Sequence, residues 1–287
     1  MSRLEGIPFR KMNGLGNDFV VFDARVRPLS LTEAEVRAIA DRKRGIGCDQ
    51  LIVMERSDRA DVRMRIFNQS GGEVESCGNA SRCIADLLIG ETAKPAVSIE
   101  TLGGDLACTR HGEGLVTVDM GTPRFGWQDI PLAEEFRDTR AIELQVGPID
   151  APIIHSPSVV NVGNPHCIFW VKSLDVIDLA AVGPMLEHHP MFPERANISL
   201  AHVTSRDALT LKVWERGVGL TRACGTAACA AAVCAARKRL TGRTVTVTLP
   251  GGDLLIEWRE GDDHILMTGP VSYDFEGVLP AFATEDA

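Results

Sequence analysis

Two stretches decide the fold: ESCGNASRCIADLLIG at residues 75–90 and RACGTAACAAAVCAA at residues 222–236. After Cys77 the apolar positions are Ala80, Cys83, Ile84, Leu87 and Leu88, one stripe of an α-helix, and Gly90 ends it. The second stretch is apolar all round, the mark of a helix buried on several sides, and should end near Gly242. Each helix opens on a Cys-Gly pair, Cys77-Gly78 and Cys224-Gly225, behind a glycine-containing loop.

The two pairs stand 147 residues apart, and the same offset aligns much else. Gly16-Asn17 falls on Gly163-Asn164, Gln50 on Asn197, Phe67-Asn68 on Trp214-Glu215, and Gly72 on Gly219. Thr101-Leu102 falls on Thr248-Leu249, and Met120 and Pro123 on Met267 and Pro270. One offset held across both halves, on Gly, Asn and Cys, reads as an internal duplication. The expected fold is therefore α+β. Two homologous lobes would be related by pseudo-twofold symmetry, each a mixed or antiparallel sheet around a central buried helix, with an active site in the cleft between them. The lobes are drawn as residues 1–126 plus 276–287, carrying Cys77, and residues 127–275, carrying Cys224.

Extended segments are expected at 9–11, 19–23, 51–54 and 62–68, where Val62, Met64 and Ile66 alternate with charges. Thr32-x-x-Glu35 is a capping box, opening a helix expected to run to Arg42-Lys43-Arg44 and stop at Gly45. Val245, Val247 and Leu249 alternate as a strand into the turn at Pro250-Gly251-Gly252. Order is expected throughout except in the tail 283–287.

The formal net charge of −9 argues against a nucleic-acid binder. The densest basic run, Arg237-Lys238-Arg239, falls at a helix end, where cations are usually solvated. The start, MSRLEGIPFRK, has no apolar core of a signal peptide, and the low-charge run 223–236 is too short to span a bilayer. No membrane association and a cytoplasmic location are expected. The eight cysteines include no CxxC, and Cys224, Cys229 and Cys234 step by five, so their thiols diverge around a helix and no metal site is expected. Cys83, Cys229 and Cys234 read as core residues, and Cys48, Cys108 and Cys167 as structural.

A helix N-terminus presents unpaired N–H groups and partial positive charge. It is expected to lower the pKa of a cysteine there and to bind an anion such as a carboxylate. Gly78 and Gly225 let the backbone approach a ligand. Two such starts facing each other would hold one carboxylate with a sulfur on each side. That suits inversion at an amino-acid Cα: a thiolate takes the proton from one face and a thiol returns one to the other. No Rossmann, P-loop or Schiff-base signature supplies another electron sink, so no cofactor is expected. Asn17, Asn68, Asn164 and Asn197 coincide in the repeat and read as ligand contacts. Glu215 stands where the other half has Asn68, and His166 lies two residues after Asn164, which favours a role for both.

The segments KMNGLGNDF, GCDQLI, CGNASRC, GNPHC, FPERAN, ERGVGLTRACGT and LPGGDL, in this order along essentially the whole chain, resemble the diaminopimelate epimerase family. The resemblance implies interconversion of LL- and meso-diaminopimelate, in lysine and cell-wall precursor synthesis, without pyridoxal phosphate or metal. It implies Cys77 and Cys224 as the two acid/bases, with Gly78, Asn79, Gly225 and Thr226 on the reacting carboxylate. Asn17, Gln50, Asn68, Asn164, Asn197, Glu215 and Arg216 would bind the other groups of the substrate, with His166 and Glu215 tuning the thiols. A homodimer is also implied. Asn13, Gln69-Ser70, Ala80, Ala227 and Ser199-Leu200 depart from the family pattern and bear on rate and fine specificity. The nearest alternative is another two-cysteine racemase of the same fold, such as one resembling proline racemase. Those favour His after one Cys-Gly, where this chain has Asn79 and Thr226. A redox-sensing or hydrolytic thiol protein using His166 is a different class and gives no reason for a second matched cysteine.

Overall fold

The computed structural model describes residues 3–75 and 77–280; the tail 283–287 lies outside them. The fold is α+β, with few helices and mixed sheet, and the chain divides into two compact units, Met1–Val118 with Gly269–Ala287, and Asp119–Thr268.

The first unit runs β1 (Pro8–Gly14), β2 (Asn17–Asp23), α1 (Glu33–Ala40), β3 (Gln50–Glu55), β4 (Val62–Asn68), β5 (Glu73–Val74), α2 (Gly78–Thr92), β6 (Ala96–Thr101), β7 (Gly104–Gly112) and β8 (Leu115–Asp119). A returning strand, Ser272–Val278, pairs antiparallel with β1. Pairing is antiparallel for β1–β2, β3–β4 and β6–β7, and parallel for β2–β3 and β4–β6. In β4 the alternation is realised: Val62, Met64 and Ile66 are buried, while Arg63 and Arg65 reach the surface. The Thr32–Glu35 capping box forms. The helix it opens ends at Ala40, before the expected Gly45. The Asp41 carboxylate accepts from the N–H groups of Lys43 and Arg44, which turns the chain out of the helix.

The second unit runs β9 (Gln145–Val146), β10 (Ile154–His155), β11 (Ser158–Asn161), β12 (Pro165–Trp170), α3 (Leu179–Glu187), β13 (Asn197–Ser205), β14 (Ala208–Glu215), β15 (Gly219–Thr221), α4 (Gly225–Arg237), β16 (Thr244–Leu249), β17 (Gly252–Trp258) and β18 (Ile265–Pro270). The returning strand is β19. Helix α4 packs against strands β11 to β14, β16 and β17, with both its cysteines and all its alanines up to Ala235 buried, which explains why it is apolar all round. It ends at Arg237, short of Gly242. Helix α2 ends two residues past Gly90, at Thr92, with Ala93 in the left-handed region.

Strand register repeats the same plan in both units. Phe19 pairs with Gln50 as His166 pairs with Asn197, and Leu51 faces Phe67 as Ile198 faces Trp214, each 147 residues on. The offset then drifts. Val97 opposite Cys108 corresponds to Val245 opposite Ile256, 148 residues on, and Val118 corresponds to Met267, 149 on. Thr101 therefore matches Leu249, not Thr248, and Met120 does not match Met267. One residue is gained between helix and strand and another in the turn between β17 and β18, relative to that between β7 and β8, where loop length is weakly constrained.

The unit boundaries fall at 118/119 and 268/269, earlier than 126/127 and 275/276. β19 pairs with β1 from Ser272 to Val278, which ties all of it to the first unit. Hydrogen bonds from Met120 to Ile265 and between Arg124 and Asn161 tie the 119–126 segment to the second.

Candidate active site

The first unit assembles its polar residues around the start of α2. Cys77 is the N-cap of α2, in extended conformation (φ −150°, ψ 106°), and its side chain makes no capping bond. The helix begins there because Cys77 O accepts from Ser81 N and from the Ser81 hydroxyl. The Cys77 thiol lies 3.8 Å from Asn17 Oδ1, which also accepts from Asn79 Nδ2 at 3.4 Å. Asn17 Nδ2 donates to Asp49 Oδ2 at 3.0 Å. Gln50 Nε2 donates to Asn68 Oδ1 at 3.0 Å, across the β3–β4 pair. Gln50 Oε1 and Asn79 Oδ1 are buried without a hydrogen-bond partner. Two buried acceptors left unmatched are costly and suit a donor such as a substrate ammonium.

The second unit does the same around the start of α4. Cys224 is the N-cap, with nearly the same conformation as Cys77 (φ −133°, ψ 108°). Its sulfur is 3.4 Å from the Thr226 hydroxyl. The Thr221 hydroxyl donates to Glu215 Oε1. His166 is fully buried, with Nε2 2.7 Å from Asn164 Oδ1 and Nδ1 unpartnered. Asn197 Oδ1 accepts from Arg216 N at 3.0 Å and its Nδ2 donates to Pro165 O at 2.9 Å. Asn197 thus holds two turns of main chain that carry Arg216 and Asn164, and its amide is largely engaged there. The Arg216 guanidinium donates through Nη1 to Glu194 O at 3.0 Å, leaving most of its fork for other acceptors.

The electrostatics correct one expectation. A helix start was expected to lower the thiol pKa, yet the Cys224 thiol is pushed well up. Burial is the main cause, followed by the Glu215 charge; bonds from Thr226 and the Ala227 N–H oppose it only partly. Cys224 is therefore held as a thiol beside a carboxylate. His166 is pushed down to about 3, by burial first and then by the Arg216 charge, so it is neutral in ordinary buffers.

Several residues of this region escaped the sequence reading. Asp49, Asp18, Arg42 and Lys11 form an ion-pair cluster behind Asn17. Asp49 lies inside GCDQLI, beside Gln50, which was the one available signal. The buried Glu187 accepts from Trp214 Nε1 at 2.7 Å and Gly217 N at 2.9 Å, fixing the turn that bears Glu215 and Arg216. The departures have local explanations. Asn13 Oδ1 accepts from Gly16 N and so shapes the turn before Asn17. Gln69 Nε2 donates to Cys48 O, and Ser199 is buried with an unpartnered hydroxyl. No helix among the described residues is long and apolar enough to cross a membrane.

The sequence model of diaminopimelate epimerase matches residues 9–126 and 158–273. Diaminopimelate epimerase of Rhodopseudomonas palustris strain HaA2 is 56% identical over 280 residues, covering 96% of this chain and 94% of its own. Diaminopimelate epimerase of Afipia carboxidovorans is 55% identical over 282 residues, covering 97% of each chain. Among solved structures, a hydroxyproline epimerase from Agrobacterium vitis superposes with a TM-score of 0.66 at 16% identity, covering 97% of this chain and 94% of that one. A PhzF-family phenazine biosynthesis protein from Bacillus anthracis gives a TM-score of 0.65 at 19% identity, covering 95% and 98%. These two share the fold, while the first two match the sequence at 55–56% identity over nearly its full length. The chain belongs to the diaminopimelate epimerase family.

Proposed function

We propose that this protein interconverts LL- and meso-2,6-diaminopimelate by proton transfer at one Cα, using Cys77 and Cys224 as the two acid/bases and no cofactor. The observation that carries the reading is the matched placement of the two cysteines. Each is an extended N-cap at the start of a buried, repeat-related helix. The reading requires both half-sites to close on one carbon from opposite faces.

In one direction a thiolate takes the Cα proton and becomes a thiol. The electron pair spreads into the carboxylate, whose oxygens would meet N–H groups at Gly78, Asn79, Gly225 and Thr226. The opposite thiol then protonates the other face and becomes the thiolate, so the two sulfurs exchange roles at each turnover. In the resting protein Cys224 is the acid, because burial and Glu215 keep its proton on. Neutral His166 and Glu215 would set the proton affinity on that side. Arg216, Asn164, Asn17, Gln50 and Asn68 would read the amino-acid group that is not inverted, with Asn197 supporting Arg216 and Asn164. Its carboxylate suits the Arg216 fork, and its ammonium suits the open carbonyl of Gln50.

The family resemblance adds a cytoplasmic homodimer as the working form, which sedimentation would test. The reaction itself is tested by incubation with LL-diaminopimelate in heavy water and chiral analysis. Expected is meso product with one deuterium at the inverted carbon. Inversion without deuterium, or deuterium incorporation into proline but not diaminopimelate, would overturn the reading.

A further inference from the structure

Behind Asn17 stands a cluster that the reaction itself does not use. Asp49 Oδ2 accepts from Asn17 Nδ2 at 3.0 Å and from Asp18 N at 3.1 Å, and Asp49 Oδ1 accepts from Arg42 Nη2 at 2.6 Å. Arg42 also clasps Asp18 at 2.7 and 3.0 Å, and the buried Lys11 donates to Asp18 at 2.5 Å and to Gly47 O. The Asp49 N–H returns a bond to Asp18 Oδ1 at 3.0 Å. Burial alone would raise the Asp18 carboxyl, but bonds from Arg42 and Lys11 hold it well below the usual carboxylate range.

A carboxylate accepts and does not donate, whereas an amide has one end of each kind. With its NH2 committed to Asp49, Asn17 must turn its carbonyl the other way, toward the Cys77 thiol and Asn79 Nδ2. We propose that Asp49 is a positioning residue, fixing the Asn17 amide so that an acceptor, and not a donor, faces the Cys77 sulfur. This rests on the reading of Cys77 as an acid/base. An acceptor there favours S–H over the thiolate and makes the thiolate, once formed, a stronger base; a flipped amide would do the reverse. Cys77 then has an amide oxygen where Cys224 has the Glu215 carboxylate. Both sulfurs face an oxygen, but that oxygen is neutral on one side and charged on the other.

Asp49, Asp18, Arg42 and Lys11 lie on the sheet side of this amide, and on α2 the Cys77 thiol is coupled to Cys83, which in turn feels the Arg82 charge. The test is the pH profile of Cys77 alkylation by iodoacetamide, read site by site by mass spectrometry on the full chain without substrate. Wild type, Asp49→Asn, Asn17→Ala, the double variant and Arg42→Gln are compared. In Asp49→Asn the profile should move to lower pH by about one unit, raising the rate near neutrality up to about tenfold, since one new hydrogen-bond sense at a thiol is worth that much. Asn17→Ala should also move it down, and adding Asp49→Asn to Asn17→Ala should change nothing further. Arg42→Gln, which loosens the cluster but leaves the carboxylate on Asn17, should leave the profile in place. An unmoved profile in Asp49→Asn overturns the proposal. So does a shift that persists without Asn17, because Asp49 would then act through its own charge, or an equal shift in Arg42→Gln. If Asp49→Asn does not fold, an unmoved profile in Asn17→Ala overturns it alone. Because the readout needs no substrate, failure of the wild type to epimerise diaminopimelate would sink the functional reading and leave this result intact.

Discussion

His166 shows how far a single buried side chain departs from its solution behaviour. It is fully buried, one ring nitrogen faces Asn164, the other has no partner, and its pKa is lowered to about 3. In the unfolded chain the same ring titrates near ~6.5. Between those values the unfolded state binds the extra proton, so stability is complete above pH ~6.5 and falls as pH drops toward 3, by up to ~1.4 kcal/mol per unit. Urea midpoints at pH 7 and pH 5 should therefore differ more in wild type than in His166→Asn. Equal differences in the two proteins would show that the ring is charged when folded. The cysteines are the second residue-scale case. General acid and base steps are each worth ~10²–10⁴, so Cys77→Ala and Cys224→Ala should each lower epimerisation at least ~10³-fold. A Cys224→Ala enzyme that still inverts at near the wild-type rate would mean a one-base mechanism.

At the scale of elements, α3 controls the turn that carries Glu215 and Arg216. A Cβ on Gly183 would lie 2.5 Å from Trp214 Cδ2, so the helix meets the indole with no room for a side chain. The same indole is pinned by its bond to Glu187 on the last turn of that helix. Gly183→Ala must push the ring or the helix, and overpacking of this kind costs about 1–3 kcal/mol. Because Trp214 adjoins Glu215, loss of activity should exceed the loss of folded protein. The measurement is kcat/KM per folded molecule alongside a denaturant midpoint. A destabilised variant with unchanged kcat/KM would mean that the turn is set by its own residues and not by α3.

The whole molecule carries its thiols in an uneven way. Of the eight cysteines seven are buried, and Cys77 is partly exposed. Burial raises Cys48 to about 11, and Cys83 and Cys234 to about 12, and it lifts Cys167 and Cys224 well above the ordinary range. In the unfolded chain these thiols ionise near ~8.5. Stability is thus fully present below pH ~8.5 and falls as pH rises toward 11 to 12, by up to ~1.4 kcal/mol per unit for each thiol. Native alkylation at pH 8 should label Cys77 first, and the denaturation midpoint should fall steeply between pH 9 and 11. Rapid native labelling of several thiols would contradict a packed interior.

The sequence by itself determined the parts of this protein that depend on local pattern and on repetition. The stripe after Cys77, the all-apolar run after Cys224 and the Thr32–Glu35 box each follow from spacing along one element, and the shared offset follows from pairing that both units conserve. It also named most residues gathered at the two helix starts, because Gly, Asn and Cys have few other reasons to coincide. What it could not supply was anything decided by distant neighbours. The ends of α1 and the drift of the offset depend on turn bonds and loop length, which leave little mark on composition. Asp49 and Glu187 were missed because a carboxylate reads as a surface charge until folding sets it against an amide, as for Asp49, or buries it against an indole, as for Glu187. The Cys224 thiol ran opposite to expectation for the same reason. A helix start favours the thiolate by local geometry, but desolvation and the Glu215 charge come from packing, and in a buried site these outweigh the few N–H groups of one helix turn.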